Sequence, residues 1–322
     1  MKILIVNNTK IPVTEYGGTE RVIWWLGKEL HRLGHEVTFL VEKGSTCAFA
    51  KILEYDPQKL LNEQIPDAVD LVHLHFQTKE DLRKPYLITH HGNVHPEREF
   101  NINTVFVSRD HAARNSSDCF VWNGIDPKDY GPVDLSRQRK HLLFLGYAKR
   151  LEKNLEDCAY IARKTKNVLA VVGGKHKWFK WRPWMDYRGF LGGQAKNAVL
   201  NDSKALLFPV RWHEPFGLAV IEAFYFGCPV FATPFGSLPE LVTSELGVLS
   251  QSRQELINAV KNLDVFNPKK IHEYALEHFT SKRMTQNYLR LYEKVLAGQK
   301  LNPQNPVNGG DFSGEKLLPI FP

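Results

Sequence analysis

Short apolar runs alternate with longer stretches of helical period along most of this chain, and the series is played through twice. The runs are continuously apolar rather than alternating, so they read as strands buried on both faces. In the first series they are Lys2 to Val6, Glu36 to Val41, Leu71 to His75, Tyr86 to Thr89, Thr104 to Val107 and Cys119 to Trp122. Between the first two, Gly18 to Leu33 reads as a helix with Val22, Leu26, Leu30 and Leu33 on one face, and Gly34 ends it. A βαβ series of this kind predicts a parallel sheet with helices on both sides.

The second series runs through His141 to Gly146, Asn167 to Val172, Asp186 to Phe190, Ala205 to Phe208, Pro229 to Ala232 and Gly247 to Leu249, and Ser281 to Ala297 closes it as an amphipathic helix. Asn123-Gly124-Ile125-Asp126-Pro127 is a turn signal, and few apolar residues follow it as far as Lys140. The expected organisation is a first domain over 1–127, a linker over 128–140, a second domain over 141–297 and a tail over 298–322 that is mobile or laid over the surface. At 322 residues the chain can give each domain its own core. The fold class is α/β, with two doubly wound Rossmann-like domains facing across a cleft, where the carboxyl ends of both sets of strands would hold a ligand.

Within the second series, Glu214-Pro215-Phe216-Gly217-Leu218-Ala219-Val220-Ile221-Glu222 sets two carboxylates eight positions apart around a strand-to-helix corner. Pro215 biases Glu214 towards an extended conformation, and Gly217 lets backbone approach a ligand closely. A helix beginning at Leu218 would turn the N–H groups of Phe216, Gly217 and Leu218 outward, which suits a phosphate or sugar hydroxyls. Glu222, within that helix, is suited to a vicinal diol such as a ribose, because a carboxylate accepts from two hydroxyls at once. The plainer alternative is a pair of solvated charges near a helix start, where acidic residues are favoured anyway.

The surrounding letters weigh against that alternative. Phe208-Pro209, Glu214 to Leu218, Ile221-Glu222-Ala223, Gly227-Cys228-Pro229-Val230 and Gly236-Ser237-Leu238-Pro239-Glu240 together resemble the nucleotide-sugar site of the family-four retaining glycosyltransferases, which have the GT-B fold. The resemblance covers most of residues 1–297 and implies an acceptor-side first domain and a nucleotide-sugar-binding second domain. It implies that Gly17-Gly18, at the turn into the first helix, approach the donor phosphate or the acceptor. It also implies that the loop Gly146 to Asn154 grips the diphosphate through Lys153, with Arg150 or Lys149 replacing the family arginine, whose place Tyr147 takes. His91, directly before Gly92, matches a family histidine that contacts the donor sugar, with His90 as the fallback; His73 and His75 read as structural. Glu214 would orient sugar hydroxyls and Glu222 the ribose.

The chemistry implied is metal-independent retaining transfer from a nucleotide-diphosphate sugar, UDP favoured over GDP, to a hydroxyl of a glycan, lipid-linked or small-molecule acceptor. The chain contains no Asp-x-Asp, so side-chain cations would neutralise the leaving diphosphate, and no cofactor is expected. Rival readings are a GT-B epimerase or phosphorylase and a non-enzymatic carbohydrate-binding protein. The formal charge of +7 favours a polyanionic partner, but no nucleic-acid motif is present, and diphosphate substrates fit that charge as well.

Cys47, Cys119, Cys158 and Cys228 are scattered with no zinc spacing and read as reduced thiols. The first strand runs directly into Asn7-Asn8, unlike a secretory signal, so the expected location is the cytoplasm. Residues 175–184 interleave bases with three tryptophans. That mixture suits an acceptor patch or a peripheral contact with the inner face of an anionic membrane; the plainer reading is hydrophobic cover between helices.

Overall fold

A computed structural model describes the chain except for residues 16, 95–96, 175–181, 311 and 313–315. It divides into two compact units, the first built mainly from Gly17–Ile125 and Thr280–Asp311, the second from Asp126–Phe279 and Phe312–Pro322.

The first unit holds strands β1 (Lys2–Val6), β2 (Glu36–Val41), β3 (Lys51–Glu54), β4 (Leu71–Leu74), β5 (Tyr86–His90) and β6 (Thr104–Phe106). They form one sheet in the order β3-β2-β1-β4-β5-β6, and every pairing is parallel. Leu4, Val6, Leu40, Val72, Leu74 and Ile88 fill the core on one face. Each fully buried side chain of this size stabilises by about 1.5–3 kcal/mol relative to exposure. On the other face the helix Gly18–Arg32 buries Val22, Ile23, Leu26 and Leu30. A Cβ at Gly27 would lie 2.3 Å from Phe39 Cζ, so helix and sheet meet closely there.

The second unit repeats the plan with β7 (His141–Leu145), β8 (Leu169–Val172), β9 (Met185–Gly189), β10 (Ser203–Phe208), β11 (Val230–Ala232) and β12 (Gly247–Leu249). Its parallel sheet runs β12-β11-β10-β7-β8-β9. Counted from the first strand of each unit, both sheets have the doubly wound order 3-2-1-4-5-6. In such a sheet the chain direction of winding reverses beside the first strand, and that reversal leaves a crevice at the strand carboxyl ends. In the second unit the crevice lies between the loops that follow β7 and β10.

Several sequence expectations need correction. Cys119 to Trp122 is not a strand; it meets the sheet through an isolated bridge between Phe106 and Phe120. Lys51–Glu54, unread in the sequence, is the edge strand. The closing helix, Ser281–Leu296, belongs to the first unit rather than the second. The reason is its buried face, where the Tyr292 hydroxyl meets His73 Nδ1 at 2.8 Å and the Tyr288 hydroxyl meets Thr89 Oγ1 at 2.9 Å. Residues 128–140 do not form a free linker either, since they group with the second unit. Tyr130 there is buried against Glu222, and the Arg139 guanidinium donates to the carbonyls of Ser203 and Phe226. The tail is laid down: Asn302 Nδ2 donates to the carbonyls of Ile102 and Thr104, and Leu318 N donates to Arg211 O.

Candidate functional site

β10 ends at Phe208, and the chain turns through residues 209–217 into the helix Leu218–Tyr225. Gly217 caps that helix at φ +90°, a left-handed conformation that costs an L side chain about 1–2 kcal/mol. The turn is held from behind, because Ser237 N donates to Glu214 O at 2.9 Å and Ser237 Oγ donates to Phe216 O at 2.7 Å. Thr233 Oγ1 adds a bond to Val210 O at 2.6 Å.

The loop after β7 is held just as closely. A Cβ at Gly173 would fall 1.9 Å from Gly146 O, so only glycine permits β8's end to pass this loop. Leu151–Lys153 forms a single 3-10 turn, and Asn154, at φ +58°, caps the helix Leu155–Lys164. Asn154 Nδ2 donates to Pro209 O and Arg211 N donates to Glu152 O, both at 2.8 Å. Those two bonds stitch the β7 loop to the β10 loop, so the crevice walls are fixed relative to each other.

Between these walls Lys153 Nζ reaches Glu214 Oε2 at 2.7 Å. Trp212 Nε1 donates to the same oxygen at 2.8 Å, and the Lys153 ammonium lies 4.6 Å from the centre of the Trp212 ring. Glu214 is 7% exposed, so the pair is largely shielded from water. The Arg150 guanidinium stacks over the other part of this cluster, 5.2 Å from the Trp212 ring centre, and pairs with Glu152.

Glu222 has a parallel arrangement deeper in the helix. Its Oε1 accepts from the Tyr130 hydroxyl at 2.5 Å and from the Lys196 ammonium, which lies 5.3 Å from the centre of the Tyr130 ring. Lys196 and Glu222 are each 5% exposed. Glu214 Oε1 and Glu222 Oε2 accept no hydrogen bond from the described residues. Each motif carboxylate thus has one oxygen held by a lysine and an aromatic donor, while the other accepts nothing from the described residues.

The structure therefore gathers Lys153, Arg150, Glu214, Phe216, Gly217, Leu218 and Glu222 into the second unit around one turn. Sequence reasoning missed Lys196, Tyr130 and Trp212. Trp212 had a signal in its place two residues before Glu214. Lys196 and Tyr130 had none, because a lone lysine in an amphipathic helix reads as solvated.

Gly17, Gly18 and His91 belong to the first unit. Gly17 caps the helix Gly18–Arg32, and a Cβ there would lie 2.9 Å from Val13 Cγ2. His91 follows β5, and its Nε2 lies 2.8 Å from His75 Nδ1. Burial, reinforced by His90, lowers the His91 pKa to about 3, so the ring is neutral at physiological pH. His73 is bonded at both nitrogens, to Tyr292 and Thr89, and burial lowers its pKa to about 3 as well. In the basic aromatic segment, residues 175–181 lie outside the described residues; Trp184 is partly buried against the core of the second unit.

Residues 139–263 match the family model described as Glycosyl transferases group 1. An uncharacterized 41.2 kDa protein in the cps region of Klebsiella pneumoniae is 30% identical over 114 residues, which is 33% of this chain and 32% of that protein. The match thus spans about a third of the relative's length.

Among solved structures, AviGT4, a glycosyltransferase involved in avilamycin A biosynthesis, is similar with a TM-score of 0.76 and 22% identity, over 92% of this chain and 98% of that one. Sucrose-phosphate synthase from Thermosynechococcus elongatus gives a TM-score of 0.71 and 17% identity, over 92% and 100% of the two chains. Anabaena HepE, solved in complex with UDP and glucose, gives 0.64 and 15%, over 91% and 99%. The two parallel six-stranded sheets with flanking helices are those of the GT-B fold.

Proposed function

We propose that this protein is a retaining glycosyltransferase that moves a sugar from a nucleotide-diphosphate sugar to a hydroxyl of a glycan, lipid-linked or small-molecule acceptor. The observation that carries this reading is the shared geometry of the two motif carboxylates, each held at one oxygen, Glu214 in the turn before the helix Leu218–Tyr225 and Glu222 within it. The match of residues 139–263 to the glycosyl transferases group 1 model supports it independently. UDP is the favoured nucleotide, in keeping with the similarity to HepE, which was solved with UDP and with UDP-glucose.

In this reading the diphosphate lies against the helix N-terminus, where unpaired N–H groups and the positive end of the helix dipole favour an anion. Lys153 and Arg150 face the negative charge that gathers on the leaving group as the glycosidic bond breaks, which stabilises the transition state more than the ground state. Glu214 Oε1 orients sugar hydroxyls, and Glu222 Oε2 takes the ribose. The acceptor hydroxyl attacks the anomeric carbon from the face that the diphosphate leaves. The departing phosphate oxygen takes the acceptor's proton, and no enzymic nucleophile enters.

The test is incubation with UDP-, GDP- and ADP-sugars and a panel of glycan and lipid-linked acceptors, with proton NMR of the product's anomeric centre. Transfer with the donor's anomeric configuration kept is the expected result. Inverted product overturns the retaining mechanism, and absence of transfer with every donor overturns the activity.

A further inference from the structure

The second unit has another concavity, at the opposite end of its sheet from the crevice. It holds about 550 Å³, and Arg139, Asn167, Lys204 and Pro229 in its lining stand at the amino ends of β7, β8, β10 and β11. From Lys204 to Phe208, where β10 gives way to the Glu214 turn, the strand runs about 13 Å at about 3.3 Å per residue. None of the residues that line the concavity belongs to the Glu214 or Glu222 cluster.

Its charge is one-sided. Among the described residues Arg137, Arg139, Lys204 and Lys261 line it, with Asp264 as the only carboxylate. Arg137 pairs with Asp202 at 2.6 Å, whereas Arg139 and Lys204 meet neutral acceptors. The Arg139 guanidinium donates to the carbonyls of Ser203 and Phe226 and to Cys228 Sγ, and Lys204 Nζ donates to Asn167 Oδ1 at 2.8 Å. Both residues are half-buried, so their charges are neither paired with a carboxylate nor fully hydrated.

Lys204 owes its place to an irregularity in its own strand. β10 pairs with β7 as Ser203 with His141 and Ala205 with Leu142, which leaves Lys204 as an extra residue with no partner on β7. A bulge of this kind re-aims a side chain and recurs beside functional sites. Asn167 is oriented in turn, because its Nδ2 donates to the carbonyl and hydroxyl of Thr165 and leaves Oδ1 for the lysine.

We infer that this cavity is a second ligand site, for a small organic phosphate monoester. The phosphate is met by Lys204 and Lys261 in the positive field of Arg139, and the organic body rests on Leu263 and Phe266. Several uncompensated cations favour a doubly charged oxyanion over a carboxylate. A bare phosphate would leave most of the cavity empty beside that apolar wall. The inference goes beyond the nucleotide-sugar reading and does not depend on it.

The experiment titrates glucose 6-phosphate, AMP and inorganic phosphate calorimetrically, at one ionic strength, into wild type, Lys204→Met, Lys261→Glu and the crevice variant Arg150→Gln. Wild type should bind one of the two esters at least about tenfold more tightly than inorganic phosphate; Lys204→Met and Lys261→Glu should each weaken that ester about tenfold, and Arg150→Gln should leave it within about twofold. Should Lys204→Met not fold, Lys261→Glu, at an exposed position, decides alone.

No binding of either ester by wild type overturns the inference, and so does inorganic phosphate binding as tightly as both. Loss in Arg150→Gln with both lysine variants unchanged would place the phosphate in the crevice and overturn it too. Binding to phosphatidic acid vesicles but to neither soluble ester would assign the cavity to a membrane surface instead. Failure of every nucleoside diphosphate to bind would end the nucleotide reading and leave this result untouched.

Discussion

Lys153 Nζ donates to Glu214 Oε2 across 2.7 Å, on the oxygen that the Trp212 indole N–H also reaches. With side chains only 13% and 9% exposed, the pair is shielded enough that neither charge tolerates losing the other. Breaking a buried pair by removing one partner typically costs about 3–5 kcal/mol. Lys153→Met should therefore lower both the melting temperature and turnover. The double variant Lys153→Met/Glu214→Gln should recover most of the stability and none of the activity. Melting curves and initial rates of the four proteins in this cycle check the claim; recovered activity in the double variant would remove Lys153 from the chemistry.

Gly217→Ala places a Cβ at φ +90°, 3.3 Å from Val220 Cγ2. The conformational cost is about 1–2 kcal/mol, and relaxing it means unwinding the turn that carries Glu214 and Phe216. A modest loss of stability with a larger loss of nucleotide affinity is expected. Calorimetry set beside urea unfolding separates the two, and an affinity equal to wild type would show that the turn is not part of the site.

Tyr292→Phe leaves His73 Nδ1 buried without its partner at 2.8 Å. An unsatisfied buried polar group costs about 1–3 kcal/mol. Because the helix Ser281–Leu296 groups with the first unit, amide hydrogen exchange should speed up in β1, β4 and β5 and stay unchanged in β7 and β10. Faster exchange in the second sheet instead would contradict that grouping.

Buried His73 and half-buried His90 and His91 in the first unit make stability depend on acid. His73 and His91 have pKa values lowered to about 3 and His90 to about 4, in each case mainly by burial, against 6.5 for an unhindered histidine. Between those limits the unfolded chain binds protons that the folded chain does not. Stability is thus fully present above pH 6.5 and is lost as pH falls through the window down to about 4 and then 3. Well inside the window each such histidine contributes about 1.4 kcal/mol per pH unit. The urea midpoint should drop between pH 7 and pH 5, and a flat profile would show that these rings are not held neutral.

Both sheets were legible because parallel strands buried on two faces leave unbroken apolar runs, as in Ile3 to Val6 and Ala205 to Phe208. β3 was not, since Lys51–Glu54 is an edge strand with charged ends and only half-buried centres. Cys119 to Trp122 looked like a strand for the opposite reason: it is apolar, yet a single bridge at Phe120 suffices to tie it down. Periodicity found the helix Ser281–Leu296 but is silent about which sheet a helical face meets. The motif letters located Glu214 and Glu222, whereas the clamps on them come from Tyr130 and Lys196, which tertiary packing alone brings to Glu222 from 92 and 26 residues away.

The central claim is that the second unit holds a nucleotide-diphosphate sugar through this pair of carboxylates, and calorimetric titration of UDP into wild type and Glu222→Gln tests it most directly. Wild type should bind UDP, and Glu222→Gln should bind it about tenfold more weakly, as expected when a charged acceptor for a ribose hydroxyl becomes neutral. Equal affinity in the two proteins would contradict the role given to Glu222, and no UDP binding by either would contradict the choice of nucleotide.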